Sequence, residues 1–170
     1  MKTTKRLILF FILLSLSKLS FAQEVQIPKD YKLVAKEDYG IYERDVLNCI
    51  NWIESVSWTE QQEKREEAKV FLIKWISGSP TVSIMISESV GKLFDKNPEL
   101  LGSYMYGYTK YVLENSYDQD KLKASLTAVK TLLAKYVKEK TAVKDKDVEK
   151  LLAIEKEGKL ESWTQENLLK

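Results

Sequence analysis

Apolar residues recur along this chain mostly at three- and four-residue steps, most densely from Pro98 to Tyr117, PELLGSYMYGYTKYVLENSY. On a helix of 3.6 residues per turn, Leu100, Leu101, Tyr104, Met105, Tyr108, Tyr111 and Val112 fall in one arc of roughly 140°. Tyr106, Leu113 and Gly102 point to a second sector, leaving a narrow wedge of Ser103, Gly107, Lys110 and Glu114 for water. The pattern predicts a helix buried on most of its circumference, with neighbours on two or three sides. Gly102 and Gly107 each cost about 0.5–1 kcal/mol relative to Ala inside a helix, and close approach of another helix backbone is the simplest compensation. Asn97 as N-cap, Pro98 at the first helical position and Glu99 in the first turn mark the start.

The same period runs through the rest of the chain. Tyr42, Val46, Cys49, Ile50 and Ile53 predict a helix from residue 38 or 39 to about Ser55. Thr59 and Gln62 form a capping box for a second helix with a solvated half, Glu60 to Glu67. Its buried half carries Ala68, Phe71, Leu72, Trp75 and Ile76, and Gly78 ends it. Ser79-Pro80 reads as another helix start, although TVSIMIS (residues 81–87) also alternates like a β-branched strand; the helix is favoured because residues 87–94 keep the helical period. Asp118 is the expected N-cap of a helix carrying Leu122, Leu126, Val129, Leu133 and Tyr136. Its lysines, Lys121, Lys123, Lys130, Lys135 and Lys138, read as a solvated face. Asp145 or Asp147 caps a shorter helix closed by Gly158, and Leu160, Trp163 and Leu168 suggest a last segment.

These elements specify an all-α, single-domain bundle of about five to seven helices around the central helix 98–117. Residues 39–170 form the helical domain and residues 23–38, with Pro28 and only brief alternation, an extended arm.

Residues 1–22 belong to a different class. Lys2, Lys5 and Arg6 precede an apolar run from Leu7 to Leu16, and Ser20-Phe21-Ala22 supplies small residues before a cleavage point. This reads as a cleaved export signal with Ala22 and Gln23 flanking the cut, since the run falls short of the roughly 20 residues that span a bilayer. No later run is long enough to span one. Four basic residues leave with the signal, so residues 23–170 hold 23 basic against 25 acidic residues, a net charge of −2. Both signs are interspersed, which gives no nucleic-acid footprint. Cys49 is the only cysteine, so no intramolecular disulfide forms, and its apolar setting predicts a buried, inert thiol.

Several stretches, FLIKWISGSP (residues 71–80), NPELL (97–101), Gly107-Tyr108 with Lys110-Tyr111, Glu114-Asn115, DVEKL (147–151) and Gly158-Lys159-Leu160, carry a resemblance over roughly residues 71–160. The chain resembles small exported all-helical proteins of uncharacterised function from Bacteroidetes-type bacteria. The resemblance implies a bacterial export context and brings no activity or site with it.

The chain has no histidine, which removes the commonest general base and metal ligand and excludes Ser–His–Asp and Cys–His catalysis. Ser89-Val90-Gly91-Lys92 has the S-x-x-K spacing of serine enzymes with a lysine base, without the accompanying motifs. Gly91-Lys92 lacks the other residues of a phosphate-binding loop. Acidic pairs such as Asp118/Asp120, Glu66/Glu67 and Asp145/Asp147 are explained by capping and solvation. Tyr104, Tyr106, Tyr108 and Tyr111 crowd one helix and are the candidate contacts for a ligand or partner. The expectation is an exported protein, periplasmic or extracellular, without cofactor or catalytic residues, that binds a protein partner in the cell envelope. A small-molecule binder built on the tyrosine-rich helix is the alternative, and an unorthodox Ser/Lys or carboxylate enzyme the third.

Overall fold

The computed structural model describes residues 25–169, and the cleavage residues Ala22 and Gln23 lie outside that range. Among the described residues the regular structure is helical throughout: α1 (Lys36–Ile41), α2 (Glu43–Ser55), α3 (Gln62–Gly78), α4 (Glu88–Gly91), a 3₁₀ turn (Lys92–Phe94), α5 (Glu99–Glu114), α6 (Lys121–Lys138), α7 (Lys146–Lys156) and α8 (Leu160–Leu168). One apolar core joins all of these from α2 onward and reaches back to Val25 of the arm. No described helix is long and apolar enough to cross a membrane.

The central helix is α5, and its principal neighbour is α6. Leu100, Tyr104, Tyr106, Tyr108 and Val112 are buried as their spacing predicts. Ser103 and Gly107, assigned to the solvent wedge, are buried as well. The reason is close approach: a Cβ on Gly107 would lie 2.8 Å from the Ala128 Cα of α6 and 2.5 Å from the Thr131 hydroxyl. On α6 the approach is made at Ala128 and Thr131. Small residues there let two backbones meet.

Several helix boundaries differ from expectation, while those at Asp145 and Gly158 agree with it. The first helix breaks at Tyr42 into α1 and α2, and α1 begins at Lys36, shortening the arm. Thr59 does not cap α3: the chain turns through Ser57–Glu60, Gln61 adopts φ 47°, and the helix begins at Gln62. The Asn97 side chain leaves its own helix and clasps the Val143 backbone, donating to its carbonyl at 2.8 Å and accepting from its N–H at 2.7 Å. Asp120, not Asp118, caps α6 by accepting from Leu122 and Lys123 N–H. Asp145 caps α7, and Gly158 at φ 71° ends it as a Schellman turn, with Lys159 N–H donating to Ile154 C=O.

Residues 81–87 form neither helix nor strand; they run outside regular structure until Ser87, which caps the short α4 by accepting from Val90 N–H at 3.3 Å. The helix expected from Ser79-Pro80 does not form, although Ser79 Oγ accepts from Thr81 N–H at 3.3 Å as an N-cap would. Val82 and Ile84 still pack against the core.

Candidate functional site

The four candidate tyrosines do not converge. Tyr104 is fully buried between helices, Tyr106 packs on Gly102 of its own helix, and Tyr108 is buried in the core. Tyr111 is partly exposed and donates from its hydroxyl to Asp118 at 2.6 Å, a bond that pushes its pKa up to about 12. Burial, reinforced by Glu54 and Glu99, raises Tyr106 far above the ordinary phenol value. Burial also raises Tyr104, with the Ser125 hydroxyl beside it opposing the shift. The Tyr104 hydroxyl nonetheless meets no partner at good hydrogen-bond geometry. Tyr104→Phe is therefore expected to leave stability unchanged or raise it by up to about 1 kcal/mol in urea denaturation. A loss larger than that would show that Ser125 satisfies the hydroxyl.

The most concentrated polar chemistry lies where α2 ends, and the sequence pattern did not point to it. Lys135, expected on a solvated face, is buried with Glu139: its ammonium lies 2.8 Å from Glu139 Oε1 and both side chains are 1% exposed. That oxygen meets no partner at good hydrogen-bond geometry, and the ion pair with Lys135 compensates its charge. Lys135 Nζ also donates to Val56 C=O at 2.6 Å, and Lys138 donates to Glu54 C=O at 3.2 Å and to Ser55 C=O. From the other side, buried Arg65 donates to Ile53 C=O at 3.2 Å and pairs with Glu99 at 3.3 Å. Three cations thus satisfy the open carbonyls at the negative end of one helix dipole. Ser57 Oγ and Trp58 N–H donate to Glu139 Oε2 at 3.0 and 3.1 Å. Burial works against the Glu139 carboxylate, but the Lys135 ammonium and these donors outweigh it and hold its pKa below the usual value. Glu54, bonded by Ser103 Oγ at 2.9 Å, is shifted up by burial. Every member of this junction is used structurally.

Ser89 and Lys92 do share a cleft, of about 260 Å³, with Asp147, Lys150 and Trp163. The Lys92 ammonium, however, lies 2.7 Å from Glu88, which raises its pKa and holds it protonated, the reverse of what a lysine base requires. Cys49 is buried, and burial pushes its thiol up to about 12, so it carries little thiolate. Among the described residues no group of three or more acidic or cysteine side chains is placed to hold a metal.

A broad concave surface lies between the arm and α3. It encloses about 610 Å³ and is lined by Ile27, Pro28, Tyr31 and Val70, with Asp30, Glu63, Glu66 and Glu67 around it and Lys29 at one side. The arm is fixed there by aromatic contacts: the Tyr31 ring meets Phe71 and Tyr42 edge-on at 5.0 and 6.4 Å, and Lys74 Nζ sits 5.5 Å above it. Val70 is 52% exposed, and Ile73, 50% exposed, continues the outward apolar face of α3 one turn on. No protein family, curated protein or solved structure matches the chain. The groove sets an apolar floor among Asp30, Glu63, Glu66 and Glu67, with Glu66 paired to Lys69 at 2.8 Å and Lys29 and Lys74 beside it, and the sequence signal for it was Tyr31 near Pro28 together with the acid-rich start of α3.

Proposed function

We propose that this chain is an exported, non-enzymatic helical protein that binds another protein in the groove between its arm and α3. The observation that carries this reading is the groove's composition, apolar residues Ile27, Pro28, Tyr31 and Val70 ringed by Glu63, Glu66, Glu67 and Asp30. Such a surface fits a partner segment that presents apolar side chains flanked by lysine or arginine, the charges steering encounter and the apolar contacts holding it. The basic n-region, the apolar run and Ala22 support export, and a single buried cysteine suits an oxidising compartment.

Two short fluorescent peptides with the same leucines, one flanked by lysines and one by glutamates, test this against the chain starting at Gln23. The lysine peptide is expected to bind, more weakly as salt is added, with amide shifts centred on Tyr31 and Val70. Glu63→Lys/Glu67→Lys is expected to weaken it about tenfold or more. Equal binding of both peptides, binding of neither, or shifts elsewhere would overturn the assignment.

A further inference from the structure

Along the chain, Val137 to Lys146, VKEKTAVKDK, mixes both signs of charge. Folding separates them. Glu139, against Lys135, and Asp145, the cap of α7, are buried at 5% and 2% exposure, while Lys138, Lys140, Lys144 and Lys146 are all exposed. Lys96 joins them by donating to Lys144 C=O at 3.5 Å. Among these lysines stand Val137 and Val143, 67% and 56% exposed. The turn is held in place: Lys138 donates to Ser55 C=O and Asn97 clasps the Val143 backbone, so it shares one end of the bundle with the end of α2 and the start of α5. The ammonium groups of Lys140, Lys144 and Lys146 pair with no described residue. Exposed acids beside the turn are Glu60, Asp95 and Glu149, the last bonded by the Tyr136 hydroxyl, and none lies within residues 137–146.

We propose that the turn between α6 and α7 docks this protein on a membrane surface rich in anionic phospholipid, with Val137 and Val143 entering the headgroup layer and the lysines meeting its phosphates. Charge complementarity selects an anionic surface, since ammonium groups unopposed within the turn gain from every phosphate they approach. Shape selects a membrane over a folded partner. Seven of the ten residues from Val137 to Lys146 are exposed, so the turn is a ridge; a fluid lipid surface meets all of its side chains at once, whereas a protein would need a matching trough. Apolar side chains set among lysines are the pairing that interfacial binding uses, the apolar contact adding to the electrostatic attraction. Residues 23–170 carry a net charge of −2, so the attraction belongs to this end of the bundle and not to the chain as a whole. The turn shares no residue with the groove of the arm and α3, so a membrane and a groove partner do not compete for the same side chains.

Co-sedimentation with phosphatidylcholine vesicles, with and without about one-third phosphatidylglycerol, tests this on the chain starting at Gln23, which lacks the apolar run 7–16 that would bind vesicles by itself. The chain is expected to bind the anionic vesicles at low salt, to release them as salt is added and to leave pure phosphatidylcholine unbound. Lys140→Glu/Lys144→Glu is expected to weaken binding about tenfold or more, and Val137→Ser/Val143→Ser about threefold or more at unchanged salt dependence, each with the circular dichroism of the parent. Lys121→Glu/Lys130→Glu makes the same change in net charge elsewhere on α6 and is expected to stay within about twofold of the parent. The proposal is overturned by a parent that binds neither vesicle, by equal binding to both, by a turn variant that binds as the parent does, by an equal loss in the Lys121/Lys130 variant, or by capture of soluble polyglutamate in place of vesicles, which would assign the turn to an acidic protein.

Discussion

Lys135→Met is expected to lower the stability of the folded chain by about 3–5 kcal/mol, measured by urea denaturation at neutral pH. The lysine is 1% exposed and its ammonium answers both the Glu139 carboxylate at 2.8 Å and the Val56 carbonyl at 2.6 Å. Methionine fills similar space but leaves a buried carboxylate and a helix end uncompensated. Adding Glu139→Leu removes the orphaned charge and is expected to restore part of the loss. Restoration stays incomplete because Ser57 Oγ and Trp58 N–H then lose their acceptor. A loss below about 1 kcal/mol for the single variant would mean that water reaches the pair, as it does at surface ion pairs.

The same junction sets a pH dependence with a definite sign. The folded pKa of Glu139 lies below its ordinary 4.5, so its contribution is complete above the unfolded value and is lost as pH falls through the lowered folded one. Glu54 acts oppositely: its folded pKa is raised, so its ionised form opposes folding and that opposition fades as pH falls through the raised value. Stability of Glu139→Gln is accordingly expected to fall less in acid than that of the parent, and stability of Glu54→Gln to fall more.

Gly107→Ala is the second large effect, expected at about 1–3 kcal/mol of destabilisation after the gain in helix propensity is included. The added methyl would meet Thr131 Oγ1 at 2.5 Å, Thr131 Cβ at 2.7 Å and the Ala128 Cα at 2.8 Å. Rotating the threonine does not relieve this, because its hydroxyl is committed to Thr127 C=O and the closest backbone atom belongs to α6 itself. Helices α5 and α6 must separate, disturbing the most extensive contact in the fold. Gly91→Ala is the control: it is helical, open space surrounds its added Cβ, and a stabilisation of about 0.5–1 kcal/mol is expected. Similar losses at both glycines would contradict the close approach at Gly107.

The sequence by itself determined the helical elements carrying strong periodic apolar spacing, the burial of Leu100, Tyr104 and Val112, the stop at Gly158 and the absence of histidine chemistry, whereas Gly107, placed by spacing toward water, is buried against α6. Those features follow from local geometry, in which 3.6-residue periodicity and a positive φ are properties of a short stretch of chain. The groove was only partly legible, since Tyr31 and Glu63 stand some thirty residues apart and share a surface only after the arm folds back. Tertiary structure alone decided that Lys135 and Glu139 are interior, that Asn97 serves Val143 rather than its own helix, and that residues 81–87 stay outside helix and sheet. In Lys135 and Asn97 a polar group with solvent or a local partner available took a distant backbone one instead. A carbonyl at the end of α2 draws a lysine some eighty positions away only once α6 has been packed beside it, and no pattern along the chain encodes that proximity.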